Sequence, residues 1–248
     1  KAQLPFVVQN KHLGDAIFDW VKTPEFKQGL ARHGAVLFSG FNLGSKEQME
    51  KFASNLLEDI CTHNGEHVPV SNNSFVQTPV KYKPDEKLLW HNENTFNENW
   101  PSKIIFAAAH PATTGGETTL VDSRKLYQRI NPDIREKFVE RGVMYVRNYS
   151  SDNDYFGLSW KRIFNTEDKQ AVERQCIEQN LTYQWLQDDV LQTRAVRPAT
   201  YQHPITGEIC WVNQAQHWHM SCLSQTTREA IQKVLSEQLY PRNCYFGD

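Results

Sequence analysis

Leu88-Leu89-Trp90-His91-Asn92-Glu93-Asn94-Thr95-Phe96 sets an imidazole and a carboxylate two residues apart. Side chains alternate between the two faces of an extended strand, so His91 and Glu93 are expected to project to the same side if the stretch is a strand. One nitrogen and one carboxylate donor converging on a point is two thirds of the facial set, two histidines and a carboxylate, that leaves open positions on a non-haem iron(II) ion. Nine histidines and 29 acidic residues among 248 make about one His-x-Asp/Glu expected by chance, and one is found. The tripeptide alone therefore reads by default as an exposed polar strand, and its surroundings must decide.

Upstream, apolar residues recur at helical spacing from Leu13 to Leu30 (Ile17, Trp20, Val21, Phe26), and His33-Gly34 stops the pattern. Ala35–Phe38 is a short buried-strand run, after which Ser45 caps a second helix through Met49, Phe52 and Leu56. Residues 64–84 are polar and proline-punctuated, the text of a long loop that covers a site. Downstream, strand-like stretches fall at Lys103–Ala109, Thr118–Val121, Gly142–Val146, Val190–Val196 and Ile209–Asn213. Helical patterns interrupt them at Ser123–Ile130, Asp133–Arg141, Glu167–Asn180 and Thr226–Gln238. Many short strands with peripheral helices predict a mainly β chain with flanking helices, a barrel or jelly roll, because a doubly wound α/β fold alternates its elements more regularly.

The bulk numbers exclude several functions. A net charge of −2 offers no field for a phosphate backbone, so nucleic acid is not expected as a partner. No glycine-rich nucleotide loop occurs. Five cysteines, widely spaced and without a Cys-x-x-Cys pair, predict reduced thiols and a cytoplasmic setting. Mean hydropathy of −0.64 with no long apolar run predicts a protein with no membrane span, and no signal segment opens the chain. With 39% hydrophobic residues, 248 residues suffice for one large core, and residues 1–248 are expected to form one domain.

The surroundings of His91 and Glu93 carry a specific resemblance. The stretch Leu88–Phe96, then Trp100-Pro101, Pro111-Ala112 and Gly115-Gly116-Glu117-Thr118-Thr119-Leu120-Val121-Asp122-Ser123, resembles the taurine dioxygenase family. Met144-Tyr145-Val146-Arg147-Asn148-Tyr149, Gly157-Leu158-Ser159-Trp160 and Asn213-Gln214-Ala215-Gln216-His217-Trp218-His219 resemble the branch of the syringomycin-pathway aspartyl hydroxylase. The likeness runs from about Asn64 to the last residue.

The resemblance implies a double-stranded β-helix (jelly roll) of the clavaminate synthase-like kind, with Fe(II) held by His91 and Glu93 and 2-oxoglutarate as cosubstrate. It places Thr118 at the 2-oxoglutarate carboxylate; on residue type alone, Thr118 reads equally as a turn-capping threonine. It implies hydroxylation of an aliphatic carbon of an amino-acid-like substrate, free or on a carrier protein, with desaturation and epoxidation as alternatives that the sequence does not separate from it. Glu93 argues against halogenation, for which the family replaces the carboxylate ligand by a small residue. Family members continue beyond the position of Asp248, and that stretch carries the second histidine ligand and the arginine for 2-oxoglutarate. The chain is thus expected to lack its C-terminal portion.

An internal substitute is conceivable: His217 and His219 share a face if Gln214–His219 is extended. The resemblance instead puts Asn213, Gln214 and His217 near the substrate, where a β-strand and turn held by amide side chains is an equal reading. Arg197, Arg147 and Arg194 are candidate cations for a substrate oxyanion, although most arginines only solvate a surface. Asn64, Glu66 and His67 stand at the mouth of the expected lid. Two readings compete with the oxygenase: a non-catalytic β-helix binding module without its metal site, and a zinc metallohydrolase using His91, Glu93 and His217 or His219.

Overall fold

The computed structural model describes residues 4–11, 13–62, 67–80, 87–151 and 158–247. They gather into two compact units, one drawn from Lys1–Lys81, Ser102–Leu126 and Gln202–Glu208, the other from Tyr82–Pro101, Tyr127–Tyr201 and Ile209–Asp248.

In the first unit, strand β1 (Phe6–Gln9) is joined to the rest through helices α1 (Ile17–Trp20) and α2 (Pro24–His33) and pairs in parallel with β2 (Val36–Ser39). A parallel pair requires such a crossover. The apolar pattern from Leu13 to Leu30 reads as one helix, yet the chain breaks it at Thr23. That hydroxyl accepts the Phe26 N–H at 3.3 Å, and Pro24, with no N–H to give, opens α2. Ser45 caps α3 (Lys46–Leu56) as expected, accepting the Gln48 N–H. Ile17, Phe18, Val21, Phe26 and Phe52 form the core of this unit.

Part of the expected lid is ordered as a short antiparallel pair, β3 (Val68–Pro69) with β4 (Gln77–Thr78), while Asn64 and Glu66 lie outside the described residues. The stretches Lys103–Ala109 and Thr118–Val121, read as strands, have no regular structure here. Ile104, Ile105, Phe106, Leu120 and Val121 are exposed. Strand propensity expresses itself only against a partner ladder, and among the described residues these stretches have none.

After α4 (Ser123–Arg129) the second unit runs through α5 (Pro132–Arg141), β5 (Val143–Tyr149), α6 (Trp160–Ile163), α7 (Lys169–Glu178), β6 (Thr182–Trp185), β7 (Leu191–Arg197), β8 (Thr200–Gln202), β9 (Ile209–Trp211), α8 (Ala215–Trp218), α9 (Gln225–Val234) and β10 (Arg242–Phe246). Its main sheet is antiparallel throughout, in the order β10-β5-β7-β6, with Tyr145 of β5 opposite both Ala195 and Cys244. Alternation sends Val143 and Tyr145 into a core with Ala199, Trp218 and Cys244. Met144, Val146 and Asn148 face the other way and line an open groove of about 690 Å³ with Gln192 and Arg194. A second core packs Tyr149, Trp160, Phe164, Val172, Cys176 and Leu191, each fully buried aliphatic side chain contributing about 1.5–3 kcal/mol. The described residues thus combine strands and helices, and no helix among them is long and apolar enough to cross a membrane.

Candidate metal centre

His91 and Glu93 lie in the second unit, in a segment that belongs to no strand, with a turn spanning residues 93–96. The extended strand read from the sequence does not form, because the backbone around Asn92 is held by side chains in place of a partner ladder. The Asn92 carbonyl accepts from the Gln214 amide and from the Thr95 hydroxyl, the latter at 3.2 Å, and Asn94 turns the chain in the left-handed region at φ 55°. The pair nevertheless converges, with His91 Nε2 3.6 Å from Glu93 Oε2.

That spacing fits a shared ion. Two donors about 2.1 Å from one metal sit about 3 Å apart at right angles and about 4.2 Å apart when opposed. His91 Nδ1 lies 2.8 Å from the Leu89 carbonyl, which can only accept, so Nδ1 carries the proton and Nε2 keeps its lone pair for a metal. Without a metal, the Glu93 carboxylate favours the protonated ring as an acceptor and raises the His91 pKa above its ordinary value, against the opposing effect of burial. A nitrogen and an oxygen donor with an oriented imidazole suit ferrous iron.

His217 comes to the same place by a route the sequence reading did not give. Residues 215–218 form α8 and are not extended, so His217 and His219 diverge. The His217 ring stacks on His91, centroids 4.9 Å apart and planes 22° from parallel, while exposed His219 bonds Ser221. Burial, the positive charge of Arg242 and His91 itself push His217 down to about 4. Ring faces that stack do not aim nitrogens at a common point, and among the described residues no group of three His, Cys, Asp or Glu side chains is arranged to hold a metal.

Asn213 and Gln214, 7% and 4% exposed, spend their amides inside the protein. Asn213 donates to the Ala199 carbonyl (3.1 Å) and accepts the Ala215 N–H (3.1 Å), while Gln214 accepts from Trp218 Nε1 (3.2 Å). Arg197, on the buried side of β7, makes an ion pair with Glu98 at 2.9 Å and donates to the carbonyls of Phe96 and Gln179. Gln179 ends α7, where a cation is favoured by the helix dipole. Burial lowers the Arg197 pKa, and Glu98 opposes it.

Arg194 faces the groove on the opposite side of the sheet, hydrogen bonded to Gln192. Arg147 stands beside Trp218, 5.7 Å from its ring, and Arg242, directly opposite on β10, is 5.8 Å from the same ring. Thr118 belongs to the first unit and is exposed in irregular chain. The sequence reading missed Asn92, Tyr145 and Arg242 as parts of the centre. Tyr145 was legible as an inward position of β5, whereas the strand carrying Arg242 has no alternating apolar signal.

Comparison with known proteins agrees with this chemistry. The family description "Taurine catabolism dioxygenase TauD, TfdA family" matches residues 6–248. The chain is 32% identical over 219 residues to the dapdiamide synthesis protein DdaC of Enterobacter agglomerans, covering 88% of this chain and 66% of that protein. It is 30% identical over 171 residues to a clavaminate synthase-like protein of Arabidopsis thaliana, covering 66% of this chain and 52% of that protein. The chain thus spans about half to two thirds of the length of these relatives. Enzymes of the matching family depend on Fe(II) and 2-oxoglutarate, for which His91 and Glu93 supply suitable donors. The chain belongs to the TauD, TfdA family of dioxygenases.

Proposed function

We propose that the protein is an Fe(II)/2-oxoglutarate-dependent dioxygenase that hydroxylates an aliphatic carbon of an amino-acid-like substrate, free or tethered to a carrier protein, in cytoplasmic natural-product biosynthesis. The observation that carries the proposal is the 3.6 Å approach of His91 Nε2 and Glu93 Oε2 in a chain of this family. The likeness to a dapdiamide synthesis protein supports the biosynthetic setting. The clavaminate synthase-like relative supports a double-stranded β-helix, of which the sheet β10-β5-β7-β6 would be one wall.

On this reading His91 and Glu93 hold the ferrous ion. Bound there, iron with 2-oxoglutarate as co-reductant would supply activation of dioxygen, the oxidant needed to remove hydrogen from an unactivated carbon. The Leu89 carbonyl fixes the ring and tautomer of His91. Glu93 occupies the position that a halide would need, which favours hydroxylation. His217, kept neutral above about 4, adds no positive charge beside the metal and offers its ring to the substrate. Thr118 is proposed to hold a carboxylate of 2-oxoglutarate. Asn213, Gln214 and Arg197, expected from the sequence to meet substrate, have polar atoms engaged within the chain, which leaves His217 as the leading substrate contact of the four.

The test is conversion of 2-oxoglutarate to succinate by full-length protein in air with ferrous ion. Iron-dependent succinate, lost in Glu93→Ala, is the expected result. Absence of any turnover favours the non-catalytic binding module, and hydrolysis that needs neither oxygen nor keto acid favours the zinc hydrolase.

A further inference from the structure

We infer that Gln214 is a positioning residue for the metal pair, latching the peptide between His91 and Glu93 to the centre of the main sheet. The inference rests on the reading of His91 and Glu93 as iron ligands. Asn92 is the residue the two ligands share as a neighbour, so whatever fixes Asn92 fixes both. Its carbonyl accepts from Gln214 Nε2, and its side-chain Oδ1 accepts the Asn213 N–H at 3.2 Å.

Gln214 is itself held at every polar group. Its N–H donates to the Tyr145 hydroxyl at 2.8 Å, its Oε1 accepts from Trp218 Nε1 at 3.2 Å, and its carbonyl accepts the N–H groups of His217 and Trp218 at 2.9 and 3.0 Å. Tyr145 stands on β5, flanked by β10 and β7, so the latch ties an irregular segment to a strand paired on both sides. Gln214 also stands at the head of α8, which brings His217 onto His91. One buried amide thereby couples the metal-binding segment, the sheet and the stacked histidine. Each polar group of Gln214 thus has a partner within the chain and the residue is only 4% exposed, which favours a positioning role over contact with substrate.

The experiment is anaerobic titration of ferrous ion into full-length wild-type protein, Gln214→Met and Asn92→Ala. Loss of a hydrogen bond that orients metal ligands typically weakens binding about 10–100-fold. The latch predicts weakening in that range for Gln214→Met, and weakening in the same direction for Asn92→Ala, which removes the acceptor of the Asn213 N–H and leaves the core intact. Unchanged ferrous affinity in a folded Gln214→Met overturns the latch; where that variant does not fold, unchanged affinity in a parallel titration of Gln214→Asn, whose amide is one methylene too short to reach the Asn92 carbonyl, overturns it. Failure of the wild type itself to bind ferrous ion sinks the underlying reading of the pair, a different result from tight binding that ignores Gln214. Succinate production at saturating iron gives a second separation, because a substrate-contacting Gln214 would lower turnover while leaving metal affinity untouched.

Discussion

The imidazole of His217 lies face to face with that of His91, ring centroids 4.9 Å apart. Stacked rings cannot both carry a proton cheaply, and burial together with Arg242 settles the matter by keeping His217 neutral down to about 4. In the unfolded chain His217 takes its proton near the ordinary value of 6.5. Between these values the unfolded state binds more protons, so the His217 contribution makes stability fall as pH falls from about 6.5 to about 4. His91 works in the opposite sense: its raised pKa adds stability at low pH that is lost as pH rises through the raised value. His217→Asn should therefore lose less stability than wild type on moving metal-free protein from pH 7 to pH 5. Urea midpoints at the two pH values measure this, and parallel losses in both proteins would count against it.

Arg197 is expected to be structural. Arg197→Met removes the cation from the end of α7 and leaves the carbonyls of Gln179 and Phe96 without that donor. The cost should be about 3 kcal/mol in a denaturation experiment. Its partner Glu98 is 42% exposed at the side chain, so Glu98→Gln should cost below about 1 kcal/mol. Equal costs for the two would show that the ion pair, and not the carbonyl contacts, dominates.

Gly142 joins α5 to β5 at φ 66° and ψ −163°, a conformation that essentially only glycine adopts. A Cβ there would stand 2.7 Å from the Arg197 carbonyl oxygen. Gly142→Ala should destabilise the fold by about 2 kcal/mol or more, read as a lowered urea midpoint with an unchanged slope. A neutral substitution would mean that the turn relaxes.

Leu191, fully buried between Trp160 and the α7 side chains Val172 and Cys176, carries the second core. Leu191→Ala should cost about 3 kcal/mol through lost burial and a cavity, while leaving ferrous affinity unchanged in the protein that remains folded. A specific loss of metal binding would couple that core to the centre.

Local signals in the sequence located most of the helices. Ser45 caps α3 where a serine ahead of an apolar helical pattern says it should, and α5 and α7 fall within a residue or two of their expected spans, whereas α9 stops at Val234, four residues short of the expected Gln238. The two central strands β5 and β7 were legible, the flanking β6 and β10 were not, and the reading misled at 103–109 and 118–121, because propensity says nothing about which ladder a strand will join. At the centre, the spacing of His91 and Glu93 foretold their convergence but for the wrong reason: side-chain capture of Asn92, and not strand alternation, brings them together. The helix at 215–218 escaped notice since four residues carry too little periodicity, so His217 was placed beside the metal pair without the stacking that relates it to His91.

Ferrous binding by the full-length protein, followed anaerobically in wild type, His91→Ala and Glu93→Ala, tests the account most directly. One equivalent bound by the wild type, with both variants losing that binding, is the predicted result. Undiminished affinity in either variant would contradict it, for the ion would then reside elsewhere.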